Sequence, residues 1–566
     1  MELLRSSLTK ESLFMRKNLN KILLSVIILV ALILRFWQLG NVPPSPDWDE
    51  AALGYTAYSI MQTGKDEYGK SLPVILRSFD DYKPALYAYL IIPFISLFGL
   101  NIISVRLPGA IFGVIAVLAT YFLVKELFEK QQHREYLALL SSFLLAISPW
   151  HLQFSRIAFE AQVGMSMNIL SILFFLKGLK NKLFLIPGVL FAVSSIYVYQ
   201  SEKVYLPVLF AVFGLIYFRE ILKIHRVWLA GIIILGLVLT APMVSSLVSD
   251  KNALLRAKGV SVFYDQTQFL KRSAFKVMED KANGDLLGVI VDNRRAEYAK
   301  AVISGYISHF SLNWLFVTGD IERHHAPGMG LMYLFELPFL LIGIYILFFW
   351  PYGVKTKLTV FAIFLIAPIP ASITSGVPHA VRNINFLPAI QVLVALGIVW
   401  SAVFISNIKY QIAKIHLKYF IFAMFILFFI FNISYYLNQY FVQQNYFYSE
   451  SWQYGYKQAL EFIKPIEKKY NKIIVSNDRP LDQSYMFFLF YLKYDPRIYQ
   501  NEGGTKSGGF REDHFFGKYE FRTISWDQEQ SGNLYIGRPK DFPDGLGGIK
   551  TINYLNGKPA IAIVGK

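Results

Sequence analysis

The chain of 566 residues contains no cysteine, and charged residues make up only 17% of it. The missing cysteine excludes a disulfide framework, a thiolate nucleophile and a zinc–thiolate site. An ordinary soluble domain has about a quarter of its residues charged. The low charge content therefore argues against a soluble protein. It leaves the large apolar fraction, 54% of the residues, to be explained.

The apolar residues occur in blocks of roughly twenty, the length that a helix needs to cross about 30 Å of hydrocarbon. Backbone polar groups in a bilayer must be satisfied within the segment, so each block predicts a helix. The mean hydropathy of +0.39 agrees with this interpretation. We predict eleven spanning helices: Ile22–Leu39, Ile103–Val124, Leu137–Ser148, Val163–Phe175, Leu183–Tyr199, Leu206–Tyr217, Val227–Leu247, Leu331–Phe349, Leu358–Ile373, Leu387–Ile405 and Tyr419–Tyr435.

The first apolar run is longer than the 7–15 apolar residues of a signal peptide, and it lacks a convincing cleavage site. We therefore predict that Ile22–Leu39 is an uncleaved span. Arg35 lies near its outer end, where a long basic side chain is expected to extend to the interface.

Basic residues are distributed unevenly among the polar loops, and this predicts the orientation. If the apolar stretch Ala85–Leu97 does not cross, every short basic loop falls on the side of the N-terminus, as expected for cytoplasmic loops. We predict that Ala85–Leu97 is an interfacial or re-entrant helix, with the N-terminus cytoplasmic and the C-terminus extracytoplasmic. Much of the net charge of +17 lies in these loops, so it does not indicate nucleic-acid binding.

Two long polar segments face outward in this topology, a loop at residues 248–330 and a tail at residues 440–566. The tail is long enough for a small domain. Helical periodicity over Trp452–Ile466 and strand patterns over Lys472–Ser476, Phe521–Trp526, Asn533–Gly537 and Ala560–Val564 predict an α/β fold. The predicted architecture is an all-α polytopic membrane domain at residues 1–439, with a first outer loop at 41–102, followed by this extracytoplasmic α/β domain.

Three carboxylates lie within four residues just after the first span: Asp47, Asp49 and Glu50. One interpretation is helix capping, with Asp47 as the N-cap, Glu50 as the acid of a capping box and Gly64 ending the helix. Capping does not require Asp49, although an acid in the first turn still gains from the helix dipole. The functional interpretation is that a carboxylate at the membrane boundary receives a proton from an acceptor hydroxyl.

Several cations are predicted on the same outer side as these acids. Each alone is typical of an interfacial anchor; together they form a collar suited to a lipid phosphate, because an arginine fork donates two hydrogen bonds. The cations are Lys83, Arg106, Arg156, Lys203, Arg323, His379 and Arg382. The collar faces Asp49 and Glu160. Glu160 is either a second functional carboxylate or the helical partner of Arg156, four residues earlier.

The pair His324-His325 is the other candidate ligand pattern. Adjacent histidines on a helix point in different directions and lack the usual spacing of metal ligands. We therefore assign no metal site and no cofactor from the sequence, although a divalent metal ion stays possible.

Four short stretches together resemble a known group of enzymes. They are Asp49-Glu50 with Tyr55, Lys83-Pro84-Ala85-Leu86, Arg106-Leu107-Pro108, and Ser148-Pro149 with Arg156 and Glu160. In this order and spacing they resemble the GT-C-type glycosyltransferases of the protein O-mannosyltransferase and aminoarabinose transferase kind. His379-Ala380-Val381-Arg382 is a looser match. Ala85 stands where the family has a second proline, which shapes the backbone and carries no chemistry.

The resemblance implies an inverting transferase that moves a sugar from a polyprenyl-phosphate donor to an acceptor protein, lipid or cell-envelope glycan outside the plasma (inner) membrane. It implies that Asp49 is the general base and that Lys83, Arg106 and Arg156 hold the donor phosphate. Beside these, we predict Glu50 and Glu160 as further catalytic carboxylates and His379 and Arg382 as further phosphate-binding residues.

Two other functions stay open at this point. A transporter or flippase of lipid-linked sugars would place ionisable groups near the middle of the bilayer, where the predicted spans have almost none. A membrane polysaccharide polymerase or ligase would not need the first-loop acids followed by Lys83-Pro84.

Overall fold

The structure is a computed structural model that describes residues 10–79, 81–249, 259–263, 267–406, 412–506, 508–509 and 511–566. Part of the predicted outer loop 248–330 therefore lies outside the described residues. The first half of the chain forms α1 (Lys10–Phe36), α2 (Trp48–Thr63), β1 (Ile75–Ser78), β2 (Asp81–Pro84), α3 (Leu86–Phe98), α4 (Ile102–Leu127), α5 (Arg134–Ile147), α6 (Pro149–Ser155), α7 (Glu160–Gly178), α8 (Leu185–Ile196), α9 (Glu202–Ile216), α10 (Phe218–Ile221) and α11 (Arg226–Ser249).

Helices also dominate the second half up to the tail. They are α12 (Thr267–Ala282), α13 (Leu286–Val291), α14 (Arg294–Ser308), α15 (Glu336–Phe349), α16 (Val354–Ile366), α17 (Ile369–Ser372), α18 (Ala389–Ser406), α19 (Ile412–Asn438) and α20 (Gln444–Tyr448). Single π-helical turns at Trp314–Thr318 and Gln439–Gln443 interrupt this series.

Each of the eleven predicted spans falls on one of these helices, and the protein is an integral membrane protein. Among the described residues, seven helical segments are long and apolar enough to cross a bilayer. The α5–α6 pair makes an eighth if it is one span bent by 58°. The bend follows from Pro149, which starts α6, and from Ser148, whose hydroxyl caps it. The total of eleven spans stays a prediction, because α8, α9 and α15 are shorter than a full crossing.

The predicted interfacial segment Ala85–Leu97 forms the thirteen-residue helix α3. At about 1.5 Å per residue it is roughly 20 Å long, too short to cross the bilayer by itself. Its location at the outer interface stays a prediction.

Two glycines allow the spanning helices α15 and α18 to touch through their backbones. A Cβ atom at Gly343 would lie 1.8 Å from the Leu393 carbonyl oxygen, and one at Gly397 would lie 2.0 Å from the Phe339 carbonyl oxygen. Small residues permit such close approach in membranes, where packing replaces the hydrophobic effect as the force that joins helices.

The tail contains a six-stranded mixed sheet in the order β4-β5-β3-β6-β8-β7. Its strands are β3 (Ile473–Val475), β4 (His514–Phe516), β5 (Tyr519–Phe521), β6 (Leu534–Gly537), β7 (Lys550–Asn553) and β8 (Pro559–Gly565), and its helices are α21 (Tyr456–Ile463), α22 (Ser484–Leu492) and α23 (Pro496–Asn501). The central strand β3 is parallel to β5 and β6, and the outer pairs are antiparallel.

The tail packs directly on α2, the helix that carries the acidic cluster. Gly54 of α2 meets the ring of Phe490, where an added Cβ would lie 2.6 Å from Cε2. The Tyr55 hydroxyl donates to the Tyr494 carbonyl oxygen at 3.2 Å. These contacts fix α2 between the membrane helices and the sheet.

Candidate active site

A cavity of about 230 Å³ opens beside the N-terminus of α2. Six parts of the chain converge on it: the start of α2, the end of β2, the start of α7, the connection between α8 and α9, the segment before α15 and the segment after α17. Its lining residues are Trp48, Asp49, Lys83, Phe159, Glu160, Val198, Tyr199, Gln200, Ile321, Arg323, His324, His379, Val381 and Arg382. Most of the charged residues predicted for the site are in this set.

The start of α2 has the predicted capping box. Asp47 Oδ1 accepts the Glu50 backbone N–H at 2.9 Å, and Glu50 Oε2 accepts the Asp47 backbone N–H at 3.3 Å. Gly64, at φ 71°, ends the helix. Burial raises the pKa of Asp47 to about 7, although Arg323 lowers it in part. Two of the three acids therefore shape the helix, and the turn between them directs Asp49 into the cavity.

Glu50 and Arg106 form a fully buried ion pair outside the cavity lining. Arg106 Nε and Nη2 donate to the two Glu50 carboxylate oxygens, both at 2.8 Å. The guanidinium also donates to the carbonyl oxygens of Leu39, Pro43 and Ser45. The pair thus fixes the chain between the first span and α2 and leaves little of Arg106 for a ligand.

Arg156 is also fully buried and lies outside the cavity lining. It donates to the carbonyl oxygens of Leu34, Arg35 and Val42 at 2.7–3.1 Å. The alternative that Arg156 pairs with Glu160 on one helix does not hold, because α6 ends at Ser155 and α7 begins only at Glu160.

Lys83 lies between the two carboxylates that face the cavity. Its Nζ is 2.6 Å from Asp49 Oδ1 and 3.6 Å from Glu160 Oε1. The hairpin of β1 and β2, in which Leu76 faces Lys83, brings this lysine to α2. Burial by itself lowers the pKa of Lys83, but Asp49 and Glu160 more than offset this and raise it above that of a free lysine. Lys83 is therefore a permanent cation shared by two acids.

Arg323 and Arg382 provide positive charge on the other walls of the cavity. Arg323 Nη1 donates to Asp47 Oδ2 at 2.7 Å, and its guanidinium carbon lies 4.2 Å from the centre of the Trp48 ring. Arg382 Nη1 donates to Thr374 Oγ1 and to the Ser375 carbonyl oxygen. Each arginine is held from one side and reaches the cavity with the other.

Lys203, the remaining predicted collar residue, is not part of the lining. Its Nζ donates to Gln200 Oε1 at 2.6 Å, and Gln200 itself faces the cavity. Its charge therefore acts on the cavity only through a neighbour.

Asp320, His324 and His379 form a cluster that sequence reasoning missed. One ligand atom from each lies within 4.8 Å of the others, so the three groups have the spacing of metal ligands. Asp320 and His324 are four residues apart, which is a usable signal, but His379 is too distant in the sequence to be associated with them. His325, the adjacent histidine, instead forms a hydrogen bond between its Nδ1 and the Ala326 carbonyl oxygen.

Comparison with known proteins agrees with this geometry. Residues 82–245, which include Lys83 and Glu160, match the profile of the dolichyl-phosphate-mannose-protein mannosyltransferase family. The resemblance predicted from the sequence is confirmed. No curated protein sequence matches the chain.

Solved structures with a similar fold extend over the whole chain. ArnT from Cupriavidus metallidurans bound to undecaprenyl phosphate matches with a TM-score of 0.52 and 11% identity, covering 95% of this chain and 97% of ArnT. Apo ArnT from the same organism matches with a TM-score of 0.50 and 11% identity, covering 97% of this chain and 98% of ArnT. The oligosaccharyltransferase of Archaeoglobus fulgidus has a TM-score of 0.48 and 14% identity, covering 83% of this chain and 63% of the oligosaccharyltransferase. The ArnT matches show that the chain has a GT-C-type fold.

Proposed function

We propose that this protein is an inverting glycosyltransferase that moves a sugar from a polyprenyl-phosphate donor to an acceptor on the outer face of the plasma (inner) membrane. The observation that carries the proposal is the group of Asp49, Lys83 and Glu160 in one cavity, with Lys83 paired to both carboxylates. The family match over residues 82–245 supports it, and so does the ArnT fold, solved with undecaprenyl phosphate bound. The acceptor is a protein, lipid or cell-envelope glycan.

Asp49 is the general base in this proposal. Its side chain is 36% exposed, against 12% for that of Glu160, so it is the carboxylate that an acceptor reaches more easily. Asp49 takes the proton of the acceptor hydroxyl while the acceptor oxygen bonds to the anomeric carbon. The bond from that carbon to the phosphate oxygen breaks, and its electron pair leaves with polyprenyl phosphate. Attack from the face opposite the phosphate inverts the carbon.

The donor phosphate is bound by cations of the cavity wall. Lys83 and Arg382 face the cavity, Arg323 joins them from the outer loop, and His379 lines the same wall. Preorganised cations of this kind stabilise the charge that develops on a departing phosphate. Glu160 keeps Lys83 in place when the phosphate competes with Asp49 for its ammonium group.

The remaining predicted site residues have a supporting role in this proposal. Glu50, Arg106 and Arg156 are fully buried; Glu50 and Arg106 bond each other, and both arginines donate to backbone carbonyl oxygens. They hold the connection between α1 and α2, and so they position Asp49 without contacting the substrate.

The test is release of polyprenyl phosphate by the protein in lipid nanodiscs, supplied with a mixed pool of polyprenyl-phosphate sugars and a membrane extract as acceptor. Loss of a general base costs on the order of 10²–10⁴ in rate. We therefore expect Asp49→Asn to release polyprenyl phosphate more slowly by that factor while the protein remains folded. Glu322→Gln is the matched control, because Glu322 is an exposed carboxylate beside the cavity wall and not in it.

Equal release by wild type and Asp49→Asn would move the base to Glu160. No release by wild type with any donor would contradict the transferase proposal and favour a transporter, which transport of lipid-linked sugar across proteoliposomes would then detect.

A further inference from the structure

Three potential metal ligands lie close together beside the cavity: His324 and His379 line it with Asp49 and Lys83, and Asp320 adjoins the two histidines. We propose that Asp320, His324 and His379 bind a divalent metal ion of the zinc class, and that this ion contacts the donor phosphate. The second part rests on the proposed function, whereas the first part does not. The chain has no cysteine, so imidazole and carboxylate are the ligands available, and this set suits zinc and related first-row ions.

The spacing of the ligand atoms fits an ion of this size. Zinc bonds to imidazole nitrogen and carboxylate oxygen at about 2.0–2.2 Å, so two ligands of a tetrahedral site lie about 3.4 Å apart. Asp320 Oδ2 and His324 Nδ1 are 3.4 Å apart. The third ligand atom, from His379, lies within 4.8 Å of both. A rotation of one side chain would bring all three atoms within bonding distance of one ion.

His324 Nδ1 is a buried atom of the cluster whose hydrogen bonding the protein alone does not complete. It is buried and has no well-formed hydrogen bond to any described residue. Its ring is 4% exposed and packs against the rings of Phe154 and Phe159, which exclude water from that side. Its polar neighbour is Asp320 Oδ2, at 3.4 Å and in poor hydrogen-bond geometry; a buried imidazole nitrogen that is poorly hydrogen-bonded is costly, and a metal ion between the two atoms would satisfy both. The competing explanation is a simple ion pair between a protonated His324 and Asp320.

Groups behind the cluster hold two of the ligands in place. Asp320 Oδ2 accepts the backbone N–H of Ala380, next to His379. His309 bonds the Gly305 carbonyl oxygen through Nδ1, at 2.7 Å, and its Nε2 accepts the His379 backbone N–H at 3.2 Å. Such outer hydrogen bonds are typical of metal sites, where they orient the ligands.

The two histidines of the cluster face the cavity in which we propose that the donor binds. His324 and His379 line the same cavity as Lys83 and Arg382. A site with three protein ligands keeps a fourth position free, and a phosphate oxygen of the donor fits that position. The ion would then share with these two cations the negative charge that the leaving polyprenyl phosphate develops.

Metal binding is tested first, without donor or acceptor. The protein, freed of any histidine tag and treated with a chelator, is titrated with Zn²⁺ by calorimetry, and its bound zinc is studied by X-ray absorption. We expect one ion per chain with nitrogen and oxygen ligands. His324→Ala and His379→Ala should weaken binding at least tenfold, whereas the control His325→Ala should not, because His325 lies outside the cluster. Absent binding, or equal binding in all variants, would overturn the site.

The catalytic part is tested by release of polyprenyl phosphate from the chelator-treated protein with and without added Zn²⁺. A rise of tenfold or more on addition, lost in His324→Ala, supports contact with the phosphate. Unchanged release in a protein that binds zinc overturns that contact and leaves the transferase proposal standing. Failure of the transferase proposal is distinguishable, because release would then be absent at every metal concentration while the titration is unaffected.

Discussion

The three acids of the first outer loop, Asp47, Asp49 and Glu50, have different structural roles. Asp47 and Glu50 satisfy the first backbone N–H groups of α2, and Asp49, between them, faces a lysine in the cavity. The spacing of the capping box is a local property, so the sequence alone predicts which two acids cap the helix. That leaves Asp49 as the acid for chemistry.

Burial of the arginines could not be predicted from sequence. Arg106 and Arg156 are predicted from the sequence to bind the donor phosphate, yet most of their hydrogen bonds go to carbonyl oxygens in residues 34–45. Arg35, expected to extend to the interface, is instead fully buried and donates to carbonyl oxygens of α5 and contacts His151 at 2.6 Å. Backbone carbonyls carry no sequence signature, so only the tertiary structure identifies these partners.

Glu50 is expected to be essential for stability and not for the chemical step. Glu50→Gln would leave Arg106 buried without its counter-charge, and breaking a buried pair in this way costs about 3–5 kcal/mol. We expect a clearly lower unfolding temperature in detergent, measured by intrinsic fluorescence, with Glu322→Gln unchanged. The rate per folded molecule should stay within about tenfold of wild type; a loss of 10² or more in folded protein would return Glu50 to the catalytic residues.

Among the elements, helices with their own caps or apolar periodicity could be predicted, and short strands could not. The bounds of α2 follow from Asp47 and Gly64. The hairpin β1–β2, which delivers Lys83, has strands of four residues with no clear alternation. In the tail, three predicted strands coincide with β3, β6 and β8, whereas Phe521–Trp526 overlaps β5 only at Phe521. The partner strands β4 and β7 depend on pairing distant in sequence.

The contact between the first outer loop and the tail contains a buried acid, Glu67. Its Oε2 accepts the Thr505 hydroxyl at 2.8 Å, and its carbonyl oxygen accepts the Thr505 backbone N–H. Burial raises the pKa of Glu67 to about 8, against an ordinary value of 4.5; Thr505 and Arg77 lower it and Asp66 raises it. The folded state therefore favours the protonated carboxyl.

This shift predicts how stability depends on pH. Because the pKa is higher in the folded state than in the unfolded state, the contribution of Glu67 is complete below about pH 4.5 and is lost as the pH rises through about 8. We expect Glu67→Gln to unfold at a higher temperature than wild type at pH 9, with the difference vanishing toward pH 5. Parallel pH profiles of the two proteins, recorded by thermal unfolding, would contradict this.

At the scale of the whole molecule, the cavity, α2 and the tail form one assembly on one side of the membrane helices. The first residues of α4 and α7 contribute Arg106, which pairs with Glu50 of α2, and Glu160, which lines the cavity. The segments between the membrane helices contribute the cations of the cavity wall. The tail holds α2 in place through Phe490 and Tyr494. Substrate chemistry on the outer face requires that all these parts share a side. The orientation predicted from basic loops is therefore the assumption on which the proposed function depends most.

The natural absence of cysteine makes this orientation directly measurable. Lys70→Cys, Lys130→Cys and Lys558→Cys each introduce one thiol at an exposed position: in the first outer loop, in the loop between α4 and α5, and in the tail. With a membrane-impermeant maleimide on intact cells, we expect labelling at positions 70 and 558 and none at 130 until the cells are opened.

Labelling at position 130 in intact cells would mean that α3 crosses the membrane after all. An extra crossing would reverse every later segment, and the start of α7, with Glu160, would then lie on the opposite side from Lys83. Since Lys83 Nζ and Glu160 Oε1 are 3.6 Å apart, that outcome would be incompatible with the cavity itself. The contact between Lys83 and Glu160 thus supports, independently of the basic loops, the prediction that α3 does not cross the membrane.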